Sequence, residues 1–192
     1  HRAGAERVAI TGEYMRTAHL GGWGLEYERI AHLPPGIDVE AIGADPDHDR
    51  AAARTELAAR HDLPPDSFWI GIIGRLSAVK GHEVPTQRLA EQADRLGLGG
   101  RIVFTGRVAD PLRHAAALDL GVISSLGSEA VSRSALELMA VGVPAVASDV
   151  GILAEVVGNP DQIVPPGDPA ALAAALGPMM ADPERAARLG EE

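Results

Sequence analysis

Three short segments carry residues whose types and spacing could do chemistry. The first is Gly71-Ile-Ile-Gly74-Arg75-Leu76-Ser77-Ala78-Val79-Lys80-Gly81. Gly74 allows close backbone approach, and an arginine and a lysine follow it, five residues apart. An arginine fork plus a lysine point charge suits a diphosphate. Composition adds weight to Lys80. The 17 basic residues are 16 arginines and this single lysine, so lysine does not serve this chain as general surface charge. The segment is neither a Gly-x-Gly-x-x-Gly dinucleotide fingerprint nor a Walker loop, since Lys80 is neither preceded by Gly nor followed by Ser or Thr. The plainer alternative is two solvated charges on a loop.

The second segment is Ser128-Glu129-Ala130-Val131-Ser132-Arg133-Ser134-Ala135-Leu136-Glu137. A helix starting at Ser132 would aim the free amides of Val131, Ser132 and Arg133 at one spot, an anion site reinforced by the helix dipole. Glu129 and Glu137, eight apart, would bracket that anion and could accept hydrogen bonds from sugar hydroxyls. Glu137 sits in an Ala-Leu-Glu-Leu-Met-Ala run that otherwise reads as buried, so its carboxylate needs a partner. Arg133 opposes the dipole, a weak hint of an anion nearby. The third segment, Phe104-Thr105-Gly106-Arg107-Val108, is a strand end whose turn could offer backbone groups to a nucleobase edge. Taken alone it is a strand and a turn. His82, beside Lys80, reads as a packed or solvated loop histidine.

These segments need a scaffold, and the chain alternates strands and helices to supply one. Strands are expected at 7–10, 30–33, 68–73, 102–105, 120–124, 145–148 and 163–164. The run 68–73 is apolar and β-branched enough for a strand buried on both faces. Helices are expected at 12–19, 51–60, 84–96, 111–118, 132–140 and 152–157. Asp168-Pro169 and Asp182-Pro183 are start signals for two more. Residues 43–50 are turn-rich and read as a linker. The alternation predicts an α/β fold with a doubly wound, mostly parallel sheet, in which ligands bind outside the carboxyl ends of the strands.

The rest of the composition excludes other classes. With 192 residues and 20.0 kDa the chain can bury a real core. No cysteine is present, which removes disulfides, thiolate metal sites and a cysteine nucleophile; no metal is expected. A formal charge of −10 and 3% aromatic residues argue against a nucleic-acid partner. No apolar run is long enough for a transmembrane helix. The chain opens on His1 and closes on Arg-Leu-Gly-Glu-Glu, so both ends are expected to be internal cuts.

Taken together, Ile70-Gly-Ile-Ile-Gly-Arg-Leu-Ser-Ala-Val-Lys-Gly-His-Glu83, Val103-Phe-Thr-Gly-Arg-Val108, Ser128 to Glu137, Ala147-Ser-Asp-Val-Gly151 and Val164-Pro-Pro-Gly-Asp168 resemble the family 4 glycosyltransferases of GT-B fold. The resemblance spans residues 30–190. It implies the C-terminal, Rossmann-like, donor-binding half of a retaining transferase, here residues 43–192. Residues 1–42 would be the end of the acceptor domain and the crossover. By position, Arg75 and Lys80 would hold the donor diphosphate and stabilise the leaving group, with Gly74 giving backbone access. Glu129 would bond donor-sugar hydroxyls and Glu137 the ribose. The amides of Val131, Ser132 and Arg133 would take the distal phosphate, and Gly106 to Val108 would touch the base.

The implied partners are a UDP-, GDP- or ADP-linked sugar as donor substrate, no separate cofactor, and a glycan or lipid-linked acceptor. A cytoplasmic enzyme of cell-envelope polysaccharide synthesis is the expected setting, with the inner membrane face as an alternative and any membrane contact peripheral, through the missing domain. Three features depart from the family pattern. Ala130 stands where glycine is usual. Only one helix fits between Lys80 and Ile102, where the family has a helix, a strand and another helix, so the sheet is expected to be one βα unit short, either because that unit is deleted or because its residues are missing from the sequence. Most of the acceptor domain is absent, so the isolated chain is expected to be inactive. The competing readings are a non-catalytic nucleotide-binding module and a GT-B nucleotide-sugar epimerase.

Overall fold

Aspartate starts five of the described helices. Asp38, Asp49, Asp110, Asp168 and Asp182 each accept a hydrogen bond from the amide three residues on. At Asp110, Asp168 and Asp182 the next residue is proline, whose fixed φ suits a first helical position and whose missing N–H is not needed there. Each such cap is worth about 1 kcal/mol.

The computed structural model describes residues 8–15, 27–33, 36–74, 86–127 and 129–191. In chain order these give β1 (Val8–Ile10), α1 (Glu13–Met15), β2 (Ile30–His32), α2 (Val39–Ala44), α3 (Arg50–His61), β3 (Ile70–Gly71) and α4 (Thr86–Arg95). Then follow α5 (Pro111–Ala116), β4 (Leu120–Ile123), α6 (Arg133–Ala140), β5 (Ala145–Ser148), α7 (Leu153–Val157), β6 (Ile163–Val164), α8 (Pro169–Ala181) and α9 (Pro183–Glu191). β1 and β2 pair in parallel. The larger sheet runs β3-β4-β5-β6, every pair parallel. The expected α/β architecture with a parallel sheet is what the chain forms.

The period-2 alternation of strand side chains sorts the core onto two faces. Ala145 and Ala147 of β5 face α6 and α7 with Leu138, Val143 and Leu153. Val146, between them, faces the other side with Leu120, Val164, Met179 and Ala186, under α8 and α9. Both faces are therefore covered, as a parallel sheet requires. Gly121 is small for a packing reason: a Cβ there would run into both methyl groups of Leu138, which is 1% exposed. That close approach seats α6 on β4.

A third cluster joins α3 to the start of β3 through Leu57, Ala58 and Trp69. Arg54 stitches it together. Its guanidinium lies 4.4 Å over the Trp69 ring, and donates to the Ala117 carbonyl at 2.9 Å and to Asp119 Oδ2 at 3.0 Å. Asp119 Oδ2 also accepts from the Trp69 amide at 2.6 Å, so one carboxylate fixes where β3 and β4 begin.

On the outer side of α3, Glu56 accepts from Arg113 Nε at 2.8 Å. That hydrogen bond, reinforced by the guanidinium's charge, holds the Glu56 carboxyl below its ordinary range. A depressed folded-state value stabilises the fold above the unfolded-state value of about 4.3 and loses that contribution as pH falls through the folded value. Glu56→Gln is therefore expected to lower the denaturation midpoint at pH 7, with the gap from the unaltered chain closing as pH drops below the carboxylate range. Urea titrations at pH 7 and in the acid range check this.

Several expectations are corrected. Residues 102–105 do not form a strand, and Ile102, Val103 and Phe104 are 40%, 37% and 40% exposed. The run 68–73 shrinks to the two-residue β3, with Ile70 38% and Ile72 52% exposed rather than buried on both faces. One cause covers both: a strand needs a neighbour for its backbone groups. β3 is the last strand of its sheet among the described residues, and residues 102–105 have no strand beside them there. The linker expected at 43–50 holds the end of α2 and a 3₁₀ turn at Pro46–His48. Finally, α6 begins at Arg133, one residue later than expected, with Ser132 as its N-cap.

Candidate functional site

The parallel sheet aims all its strand ends at one rim. β3 arrives there as Ile73-Gly74, and β4 as Ser124-Ser125. A small cleft at that rim is lined by Ile73, Gly74, Ile123, Ser124, Ser125 and Ser134. Ser134 belongs to the first turn of α6, so the cleft lies between two strand ends and a helix N-terminus. Among the described residues, a Cβ added at Gly74 would meet nothing within 4 Å.

Glu129 is held beside the cleft in an unusual state for a carboxylate. It is 3% exposed, and one of its oxygens accepts from the hydroxyl of Ser125, which is itself fully buried. A buried charge needs such partners to offset its desolvation. The backbone of Glu129 is fixed from behind as well. Its carbonyl accepts from the Ile152 amide at 2.8 Å, and Gly151 turns beneath it with φ of +59°. A Cβ on Gly151 would stand 2.7 Å from the Glu129 carbonyl carbon, so only glycine fits. From the other side, Thr11 Oγ1 donates to the Ala130 carbonyl at 2.7 Å.

The mouth of α6 follows. Val131 is 42% exposed, while Ser132 is 4% exposed and adopts φ of +43°. Ser132 occupies the N-cap position, yet its side chain caps nothing. Arg133 Nε donates to Glu137 Oε1 at 2.7 Å, with side chains 79% and 14% exposed respectively. The partner that the half-buried Glu137 requires is thus the arginine one turn before it.

Some expected residues meet here and others do not. Gly74 lines the cleft, Glu129 holds Ser125 of its lining, Val131, Ser132 and Arg133 lead in sequence to Ser134 of its lining, and Glu137 pairs with Arg133. Gly106 sits in an exposed turn with φ of +66°, and neither it nor Val108 lines the cleft. Arg75 and Lys80 lie outside the described residues, as does His82. Sequence reasoning missed Ser125 and Gly151. Ser125 could have been found as the second of two serines closing an apolar strand. Gly151 belonged to a quoted motif, but its approach to Glu129 spans a sequence separation no local pattern reports.

Comparison with known proteins decides the family. The profile of the family described as "Glycosyl transferases group 1" matches residues 71–182, more than half of the chain. The chain belongs to the group 1 glycosyl transferases. Among curated relatives, a GDP-mannose-dependent alpha-(1-6)-phosphatidylinositol monomannoside mannosyltransferase of Mycolicibacterium smegmatis is 29% identical over 97% of this chain and 56% of its own length. A D-inositol 3-phosphate glycosyltransferase of Xylanimonas cellulosilytica is 33% identical over 87% of this chain and 46% of its own. The chain therefore spans about half the length of the curated relatives it matches.

Among solved structures, Anabaena Alr3699/HepE in complex with UDP superimposes with a TM-score of 0.80, at 23% identity over 96% of this chain and 57% of that one. The C-terminal domain of a group 1 protein of Francisella tularensis superimposes with a TM-score of 0.66, at 21% identity over 81% of this chain and 93% of that domain. The group 1 chain has the Rossmann-like fold of a GT-B half. No helix among its described residues is long and apolar enough to cross a membrane.

Proposed function

We propose that this chain is the donor-binding half of a retaining glycosyltransferase, gripping the diphosphate of a nucleotide-sugar at the mouth of α6. The observation that carries the proposal is the rim itself: Gly74 just beyond the end of β3, an adjoining helix N-terminus, and a buried, braced glutamate beside them. Free amides at a helix start and the dipole behind them favour an anion. In sequence Arg75 follows Gly74 and Lys80 comes five residues later, and on this reading both supply cations to that anion.

As the bond between sugar and diphosphate breaks, negative charge grows on the leaving phosphate. Arg75, Lys80 and the amides of Val131 to Arg133 then stabilise the transition state more than the bound donor. Glu129, braced by Ser125, receives sugar hydroxyls. Glu137, kept in place by Arg133, receives the ribose. The relatives' names support a nucleoside-diphosphate donor without fixing its base, since one is GDP-mannose-dependent and another was solved with UDP. Residues 1–42 fit the end of the acceptor half, whose remainder lies beyond this chain.

A second reading, a nucleotide-binding module without transfer, is favoured by residues 102–106. They lie outside the sheet, so the turn at Gly106 to Val108 is not carried on a strand.

Thermal denaturation with UDP, GDP and ADP and their sugar conjugates tests the donor site. One of the diphosphates, at a hundred times its dissociation constant, is expected to stabilise the chain by about 2.7 kcal/mol. No shift with any of them would sink the proposal. Binding together with sugar transfer, once the chain is joined to an acceptor half, separates the enzyme from the module.

A further inference from the structure

Two buried side-chain atoms among the described residues have no hydrogen-bond partner: Nε2 of His61 and Oγ of Ser132. An imidazole nitrogen can be left as the unprotonated member of its tautomer pair. A serine hydroxyl always carries a proton, and its burial without an acceptor is a cost with no local return.

Ser132 carries a second cost. Its φ of +43° and ψ of 61° are left-handed, a region that side chains with a Cβ rarely adopt. Serine normally earns an N-cap position by accepting from the amides of the first helical turn, from an extended backbone. The left-handed backbone at Ser132 denies it that bond. Glycine would avoid both costs, and alanine would avoid the orphaned hydroxyl. Strain and an unsatisfied polar group at one residue point to a partner that arrives from outside. The place is specific, because Ser132 caps the eight-residue helix whose N-terminus opens on the cleft.

We infer that the Ser132 hydroxyl is a diphosphate ligand in its own right, a side-chain donor added to the backbone amides of α6. With the site empty it is stranded. With a nucleoside diphosphate bound, rotation about χ1 lets the hydroxyl donate to an anionic phosphate oxygen. The residue thus trades stability of the empty chain for affinity. This rests on the donor-site reading above and names a residue through which that site selects diphosphates.

Calorimetric titration and thermal denaturation of the full chain test it, using Ser132→Ala and Ser132→Gly. UDP, GDP and ADP are the probes, with uridine, guanosine and adenosine as controls. Both variants are expected to bind the preferred diphosphate about tenfold more weakly, and the matching nucleoside as the unaltered chain does. Without ligand both are expected to melt higher by about 2–4 °C. A merely structural serine would not move stability and affinity in opposite directions. Equal diphosphate affinity in both variants, with binding intact in the unaltered chain, overturns this assignment alone. No diphosphate binding by the unaltered chain overturns the donor site and this assignment with it.

Discussion

Replacing Lys80 or Arg75 with alanine is expected to lower sugar transfer about 10²–10³-fold, measured as turnover in the chain joined to an acceptor half. The size follows from where the charge appears. A donor sugar bound in its ground state already carries a charged diphosphate, and on the proposed reading both cations help to hold it. When the anomeric bond breaks, additional charge arrives on the phosphate oxygen that becomes the leaving group. A cation beside that oxygen gains strength at that moment, so its loss falls on turnover as well as on binding. The lysine is the sharper test, because a chain with 16 arginines has only this one lysine. Full turnover in both variants, with donor binding unchanged, would remove the cationic pair from the account.

Gly151→Ala is expected to destabilise the fold by roughly 2–4 kcal/mol and to abolish measurable donor binding. Two effects add. The left-handed backbone penalises any Cβ, and this Cβ would be driven into the Glu129 carbonyl, which is backbone and cannot swing aside as a side chain would. Relief requires the loop at 129–132 to move. That motion breaks the bond from the Ile152 amide to the Glu129 carbonyl and takes the buried carboxylate away from Ser125. Denaturant midpoints read the first effect and titration with a nucleoside diphosphate the second. A variant that melts early yet binds normally would show that Gly151 supports the fold but does not position Glu129.

The sequence announced those features that local chemistry writes down. The strands 145–148 and 163–164 lie where their apolar runs ended. The helices after Asp168-Pro169 and Asp182-Pro183 begin where an aspartate cap and a proline meet. Features that depend on a neighbour were illegible. Phe68 to Ile73 and Ile102 to Thr105 both have strand composition, but hydrogen bonding across a sheet is not a property of either segment alone. The short α2 was hidden among turn-forming residues, with the Asp38 cap its only signal.

The candidate site divides the same way. Glu129, Glu137 and the α6 mouth were readable from spacing, and Glu137's need for a partner was readable from its apolar run. That the partner is Arg133, that Glu129 is buried under Ser125, and that Gly151 braces it are consequences of packing. The left-handed Ser132 was equally hidden, since a serine before a helix ordinarily announces a well-made cap.

Backbone amide chemical shifts, followed by NMR during titration with UDP, GDP and ADP and then with the bare nucleosides, test the central claim most directly. A diphosphate gripped by the mouth of α6 moves the amides of Gly74, Val131, Ser132 and Arg133 strongly, and the matching nucleoside leaves them almost still. Diphosphate-dependent shifts confined to other parts of the chain, with 131–133 unmoved, would contradict it.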